Sequence, residues 1–205
     1  MNRDAMPRCL PALSIAVLLA ACQAAPPDQQ GPSPDGVDLR GSSLGGPFTL
    51  TGETGEPVRW DDFKGKYRTI YFGYAYCPDI CPTDVQRAMA GLKQFERDHP
   101  ELAERVQPLF VSVDPERDSS AVLTEFTANF HPRLIGMTGD TATLKRVAKT
   151  FGTSFSKGEM QPGGGYLMHH QGLTYLYDPE GRPLGTLPTD KGPAAVAAEL
   201  ERWVR

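Results

Sequence analysis

Two cysteines lie four positions apart at the end of an apolar run, in IYFGYAYCPDICPTD, residues Ile70 to Asp84. Thiols at this spacing can do three kinds of chemistry. They can close an intramolecular disulfide if the local backbone adapts. They can cycle between dithiol and disulfide, with Cys77, nearer the strand end, attacking and Cys81 resolving. They can also act as paired thiolates, soft ligands suited to Cu(I), zinc or an iron–sulfur cluster. The cluster is disfavoured because the domain offers no further cysteine. A loop-to-helix transition suits all three, since a helix N-terminus stabilises negative charge. Pro78 and Pro82 restrict the backbone around the pair.

Two thiolates alone make an incomplete metal site. The other candidate donors are imidazoles: His99, His131, His169 and His170. His99 in RDHPEL and His131 in NFHPRL read as surface or loop residues. His169 and His170 stand just before the apolar stretch LTYLYD, Leu173 to Asp178, so either could approach the sulfurs and make a Cys₂His set. Both could equally be loop histidines with no ligand role. Met160 and Met168 read as covers for apolar surface, with soft copper contacts as the alternative. In Asp114-Pro115-Glu116-Arg117-Asp118, a strand ends and a helix starts. Asp118 or Ser119 is expected to cap that helix, and the alternative aims these carboxylates at the metal loop or a partner.

The elements that must position these residues alternate along the chain. FTLT (Phe48–Thr51) and PVRW (Pro57–Trp60) flank a GETGE turn and read as a hairpin. RTIYFGY (Arg68–Tyr74) is apolar throughout, as a central strand should be. Val85, Met89, Leu92 and Phe95 recur at helical spacing as far as Asp98. VQPLFVSV (Val106–Val113) and RLIGMTG (Arg133–Gly139) are further strands. Helices follow each, one from Ser119 and one capped by Asp140 or Thr141. LTYLYD and PLGTLP (Pro183–Pro188) form a closing pair before a last helix, Ala194 to Val204. The connection from Phe151 to Leu173 has no period and contains Gly163-Gly164-Gly165, so it reads as a long, movable loop insertion. This order predicts an α/β domain with a central mixed sheet flanked by helices, and the cysteine pair at the end of a central strand gives it thioredoxin-like topology.

The 205 residues are enough for one domain of ordinary size. A net charge of −4 gives no electrostatic support for a nucleic-acid role. Residues 1–21 read as a signal segment: Arg3 and Arg8 precede an apolar run ending in Leu19-Ala20-Ala21-Cys22, which is similar to a bacterial lipobox. Cys22 would then be the lipidated N-terminus of a membrane-anchored lipoprotein facing the periplasm. Residues 22–40, rich in Pro, Gln, Gly and Asp, read as a flexible tether to a domain over 41–205. Cys9 leaves with the signal segment, so Cys77 and Cys81 are the only thiols left to the folded domain, in an oxidising compartment.

DDFKGKY (Asp61–Tyr67), YFGYAYCPDICPTD (Tyr71–Asp84), LFVSVDPERDS (Leu109–Ser119) and HHQGLTYLYDPEGRPL (His169–Leu184) together resemble the Sco/SenC (PrrC) family of copper-binding proteins for cytochrome c oxidase assembly. The resemblance implies copper, as Cu(I) or Cu(II), held by Cys77, Cys81 and, five residues before Tyr175, His170. It implies a metallochaperone role. The partner would be the copper-bearing subunit of cytochrome c oxidase or another periplasmic copper protein, and the service copper delivery or thiol reduction for the binuclear centre. The family usually has aspartate where His169 stands, and often threonine and histidine where Ala75 and Tyr76 stand. The alternative from another class is an exported thiol–disulfide oxidoreductase working through Cys77 and Cys81 without a histidine. A peroxiredoxin fits the fold but not the CxxxC pair, and a purely structural disulfide remains a further reading.

Overall fold

A computed structural model describes Met1 and residues 31–78 and 80–205. The signal segment with Cys9, the expected lipidation site Cys22 and the motif residue Asp79 lie outside the described residues. Among the described residues, no helix is long and apolar enough to cross a membrane.

Among the described residues, nine strands and five α-helices run in order as β1 (Thr49–Gly52), β2 (Pro57–Arg59), β3 (Tyr67–Gly73), α1 (Ile80–Asp98), α2 (Pro100–Ala103), β4 (Val106–Ser112), α3 (Ser120–Ala128), β5 (Ile135–Thr138), α4 (Thr141–Thr150), β6 (Phe155–Met160), β7 (Tyr166–His170), β8 (Thr174–Tyr177), β9 (Pro183–Leu187) and α5 (Pro193–Trp203). Seven strands form one mixed sheet in the order β2-β1-β5-β4-β3-β8-β9. β3 pairs parallel to β4 and antiparallel to β8. Every residue of β3 and β4 is buried, because both faces of the sheet are covered there.

Strand alternation sorts the core into two layers. Tyr71 of β3 and Phe110 of β4 are register partners and stack, ring centroids 6.3 Å apart. They face α1 through Asp84 and α3 through Phe126. Phe72 points the other way, to Phe151 at the end of α4, in an aromatic cluster with Phe48, Trp60 and Tyr177. α1 forms because Val85, Met89, Leu92 and Phe95 fall on one buried stripe, each contributing roughly 1.5–3 kcal/mol by leaving water. Pro82 fits its first turn, where a backbone N–H has no helical acceptor. Ser119 caps α3 by accepting the Val122 N–H, and Asp140 caps α4 by accepting that of Thr143.

Two segments differ from their reading in sequence. The connection after α4 is not irregular: β6 and β7 form a separate antiparallel hairpin, with a turn through Gly164 (φ +85°) and Gly165 (φ +82°). Its period was hidden because no residue of β6 is fully buried and Gly158 stands inside that strand, which leaves only the five residues of β7 to alternate. Part of the segment read as tether is also ordered. Val37 and Leu39 bond to Thr186 and Leu184 along the edge of β9, and the Ser33 N–H donates to the buried Glu199 carboxylate. Its backbone, not its side chains, makes these bonds, so composition could not reveal them.

Candidate metal centre

β3 runs toward the sheet edge that holds the Cys pair, the end of a parallel unit where binding crevices open. After Gly73 the chain turns through Tyr74 to Tyr76, and Cys77 stands just ahead of α1. Cys81 is in the first turn of α1 and fully buried. Its backbone N–H donates to the Cys77 sulfur at 3.4 Å. Both thiols are free.

The third residue arrives from the opposite direction. β8 is antiparallel to β3, with Tyr71 opposite Thr174, so the chain just before β8 must lie beside the Cys turn. His170 ends β7 there, and its Nε2 is 3.0 Å from the Cys81 sulfur. Donor atoms of Cys77, Cys81 and His170 all lie within 4.8 Å of one another. For metal bonds of about 2.0–2.3 Å, two ligands of one ion lie up to about 4.6 Å apart, so a contraction of a few tenths of an ångström at most brings this set onto a single ion. Two sulfurs and one imidazole suit Cu(I), and the nitrogen also admits Cu(II) or zinc.

His169 points elsewhere. It pairs with Ser156 across the hairpin, is exposed, and its Nε2 lies over Gly158. His131 is not a surface residue: it is buried, its Nε2 bonds Glu96, and its Nδ1 accepts the Arg133 N–H. His99 sits against Glu201 on the surface. Met160 is exposed at the hairpin tip, and Met168 is buried under the hairpin.

The surroundings are aromatic. The His170 ring meets Tyr74 and Tyr71 edge-on, with centroids 5.7 and 6.1 Å away. Burial lowers the His170 pKa, so the imidazole stays neutral and keeps a lone pair to offer. Burial, with a further rise from the neighbouring Cys77, pushes the Cys81 thiol well up. A bound cation would reverse that balance and displace the proton. Burial pushes Tyr74 up to about 12, so its hydroxyl remains protonated. The Tyr71 hydroxyl bonds the buried Asp84 carboxylate at 3.3 Å.

A residue-by-residue motif reading missed what lets the sulfur in. A Cβ on Gly73 would stand 2.7 Å from the Tyr71 ring and 3.2 Å from the Cys81 sulfur. Of the two expected caps, Asp118 or Ser119, Ser119 takes the role. Asp118 is fully buried and accepts from the Ala75 N–H at 2.8 Å and the Ser112 hydroxyl at 2.6 Å, which fixes the turn ahead of Cys77.

A family model described as SCO1/SenC matches residues 37–205. The chain belongs to the SCO1/SenC family. Protein SCO2, mitochondrial, of Saccharomyces cerevisiae is 40% identical over 147 residues, which cover 71% of this chain and 48% of that protein. The chain thus spans about half the length of the curated SCO relatives it matches. The copper-bound ScoI structure of Bradyrhizobium japonicum superposes with a TM-score of 0.70 at 36% identity, covering 78% of this chain and 99% of that one. The thioredoxin domain of a Bacteroides vulgatus thiol-disulfide oxidoreductase matches with a TM-score of 0.54 at 18% identity, over 81% of this chain and 98% of that one. That last likeness concerns the fold alone, which is thioredoxin-like.

Proposed function

We propose that this SCO1/SenC domain is a copper metallochaperone. It takes one copper ion between Cys77, Cys81 and His170 and serves the binuclear copper centre of cytochrome c oxidase, by delivering copper or by keeping the receiving cysteines reduced. The observation that carries this reading is the meeting of two sulfurs and one neutral imidazole, from segments 89 residues apart, within 4.8 Å. Copper is the cargo. Delivery is ligand exchange: partner thiolates displace the imidazole first, because His170 belongs to a hairpin outside the main sheet, and then displace the sulfurs.

The test is reconstitution of the reduced protein with copper, comparing Cys77→Ala, Cys81→Ala, His169→Ala and His170→Ala. One copper per chain is expected, with a thiolate-to-Cu(II) charge-transfer band. Removing a group that only orients a ligand costs about 10–100-fold in affinity, and removing a ligand should cost at least as much. The band should vanish in three variants and survive in His169→Ala. Copper binding that is indifferent to His170 would sink the assignment.

The same reading places the domain outside the cytoplasm, anchored through lipid on Cys22. The lipobox-like Leu19-Ala20-Ala21-Cys22 supports this. Cys22→Ala should move the protein from the membrane fraction to the soluble one and abolish labelling by an acyl-chain probe.

A second reading, thiol–disulfide exchange, draws on the asymmetry of the pair. Cys81 is sealed, with its thiol strongly disfavoured from ionising, whereas Cys77 keeps 9% of its surface exposed and accepts a backbone N–H. Cys77 would attack and Cys81 resolve. His170→Ala separates the two activities, since exchange with a disulfide substrate should persist where copper binding is lost.

A further inference from the structure

The β6–β7 hairpin makes no backbone ladder with the main sheet, so side-chain contacts carry much of what sets where His170 stands. The joint holds a cavity of about 140 Å³ lined by Val113, Glu116, Lys145, Phe155 and Met168 among others, so apolar packing leaves it partly unfilled. Met168, Tyr166 and Phe155 pack the hairpin on the core, and the polar part of the joint comes from the loop after β4. The Arg117 guanidinium lies 3.7 Å from the Tyr166 ring centre and 5.6 Å from that of Tyr74. Its Nε donates to Asp114 at 2.5 Å. The Tyr166 hydroxyl donates to the other oxygen of Asp114 at 2.8 Å. Lys157 of β6 stands 4.0 Å over the same ring and pairs with Glu116 at 2.5 Å. Arg117 Nη2 is buried with no hydrogen-bond acceptor, as expected of a cation held against aromatic faces.

Tyr166 begins the strand that His170 ends. Tyr74, which Arg117 also faces, makes the edge contact with the His170 ring, and its hydroxyl is bonded by the Met168 backbone. Next to Arg117, Asp118 of the same loop fixes the backbone ahead of Cys77. One five-residue loop therefore touches both halves of the centre.

We propose that Arg117 is a positioning residue: pinned by Asp114, it clamps Tyr166 and so seats the hairpin where the His170 imidazole meets the Cys81 sulfur. The clamp does not touch the cysteines. It governs the imidazole, hence the balance between a three-ligand and a two-sulfur site. The inference rests on the copper reading above for its consequence, and on the hairpin geometry for its structure.

The test uses the full chain, reduced, in detergent, with Arg117→Met, Arg117→Lys, Tyr166→Phe and His170→Ala. Without metal, Arg117→Met should speed amide exchange at Leu167–His170 by about tenfold or more and leave β3 and β4 unchanged, the pattern of local opening. With metal, it should weaken Cu(II) by about 10–100-fold and reduce the nitrogen hyperfine coupling from imidazole, while Cu(I) binding by the two sulfurs changes by no more than about threefold. Arg117→Lys, which keeps a cation over the ring, should restore part of both effects. Tyr166→Phe should show a smaller version, and it decides the matter if Arg117→Met does not fold. Wild-type hairpin exchange and wild-type Cu(II) spectra in both Arg117→Met and Tyr166→Phe would overturn the clamp. If His170→Ala leaves the copper spectrum unchanged, the ligand assignment is what has failed, and the metal-free exchange still decides the clamp.

Discussion

A sulfur that must meet an imidazole inside a packed sheet needs room, and at this site a missing side chain provides it. Gly73 ends β3 where a Cβ would press on the Tyr71 ring and the Cys81 sulfur together. Gly73→Ala should therefore displace the sulfur or the ring. The expected outcome is a loss of about 1–3 kcal/mol in stability from overpacking, read by urea titration. A tenfold or greater fall in copper affinity should accompany it, the order of effect seen when groups orienting a ligand are moved. Wild-type copper affinity in a folded Gly73→Ala protein would show that the close approach is incidental. The same scale explains which histidine is chosen. His169 and His170 are neighbours on a strand, so they point to opposite sides, and only one can face the thiols. The sequence reading left both imidazoles open, and the family pattern favoured His170. The alternation of β7 gives the physical reason.

Among the elements, α1 carries Cys81 and is held by α5. The two helices approach closely at Gly91, where an added Cβ would come within 2.6 Å of Val196 and 2.7 Å of the Pro193 carbonyl. The backbone of α5 cannot yield there without leaving its seat. Gly91→Ala should thus destabilise the fold by about 1–3 kcal/mol despite alanine's better helix propensity, with the cost appearing as a lower thermal midpoint. A rise in the midpoint would mean that α5 shifts freely. Most elements were legible beforehand, because β3, β4 and α1 have apolar patterns of the right period. The β6–β7 hairpin was not, since a largely exposed two-stranded ribbon with Gly158 in one strand and three glycines in its turn leaves little pattern to read. That hairpin delivers the third ligand candidate, so the least readable element matters most to the site.

At the scale of the whole molecule, distant parts are tied by a few buried polar groups. Glu96 of α1 receives Arg133 and His131 from the loop before β5, joining α1 to the connection between α3 and β5. Burial alone would raise the Glu96 carboxyl, but the hydrogen bonds from Arg133 and His131 outweigh it and hold it below its usual value of 4.5. A carboxylate with a lowered folded pKa adds stability above its unfolded pKa and loses it as pH falls through the folded value. Glu96→Gln should therefore be less stable than wild type by about 1–3 kcal/mol at pH 7, the worth of hydrogen bonds to a charged group. The gap should narrow as pH drops below 4.5, in paired denaturant titrations from pH 7 to 3. A gap that is constant with pH would show that the charge is not what matters. The sequence by itself determined the α/β alternation, the buried central strands, the CxxxC at a strand end and the family pattern, because these reside in local period and spacing. Only the tertiary structure decided which imidazole meets the sulfurs, that Gly73 admits Cys81, and that the Asp114–Asp118 loop braces both halves of the centre. Those facts depend on contacts between residues tens of positions apart, and chain order carries no distance for a pair until the sheet is assembled.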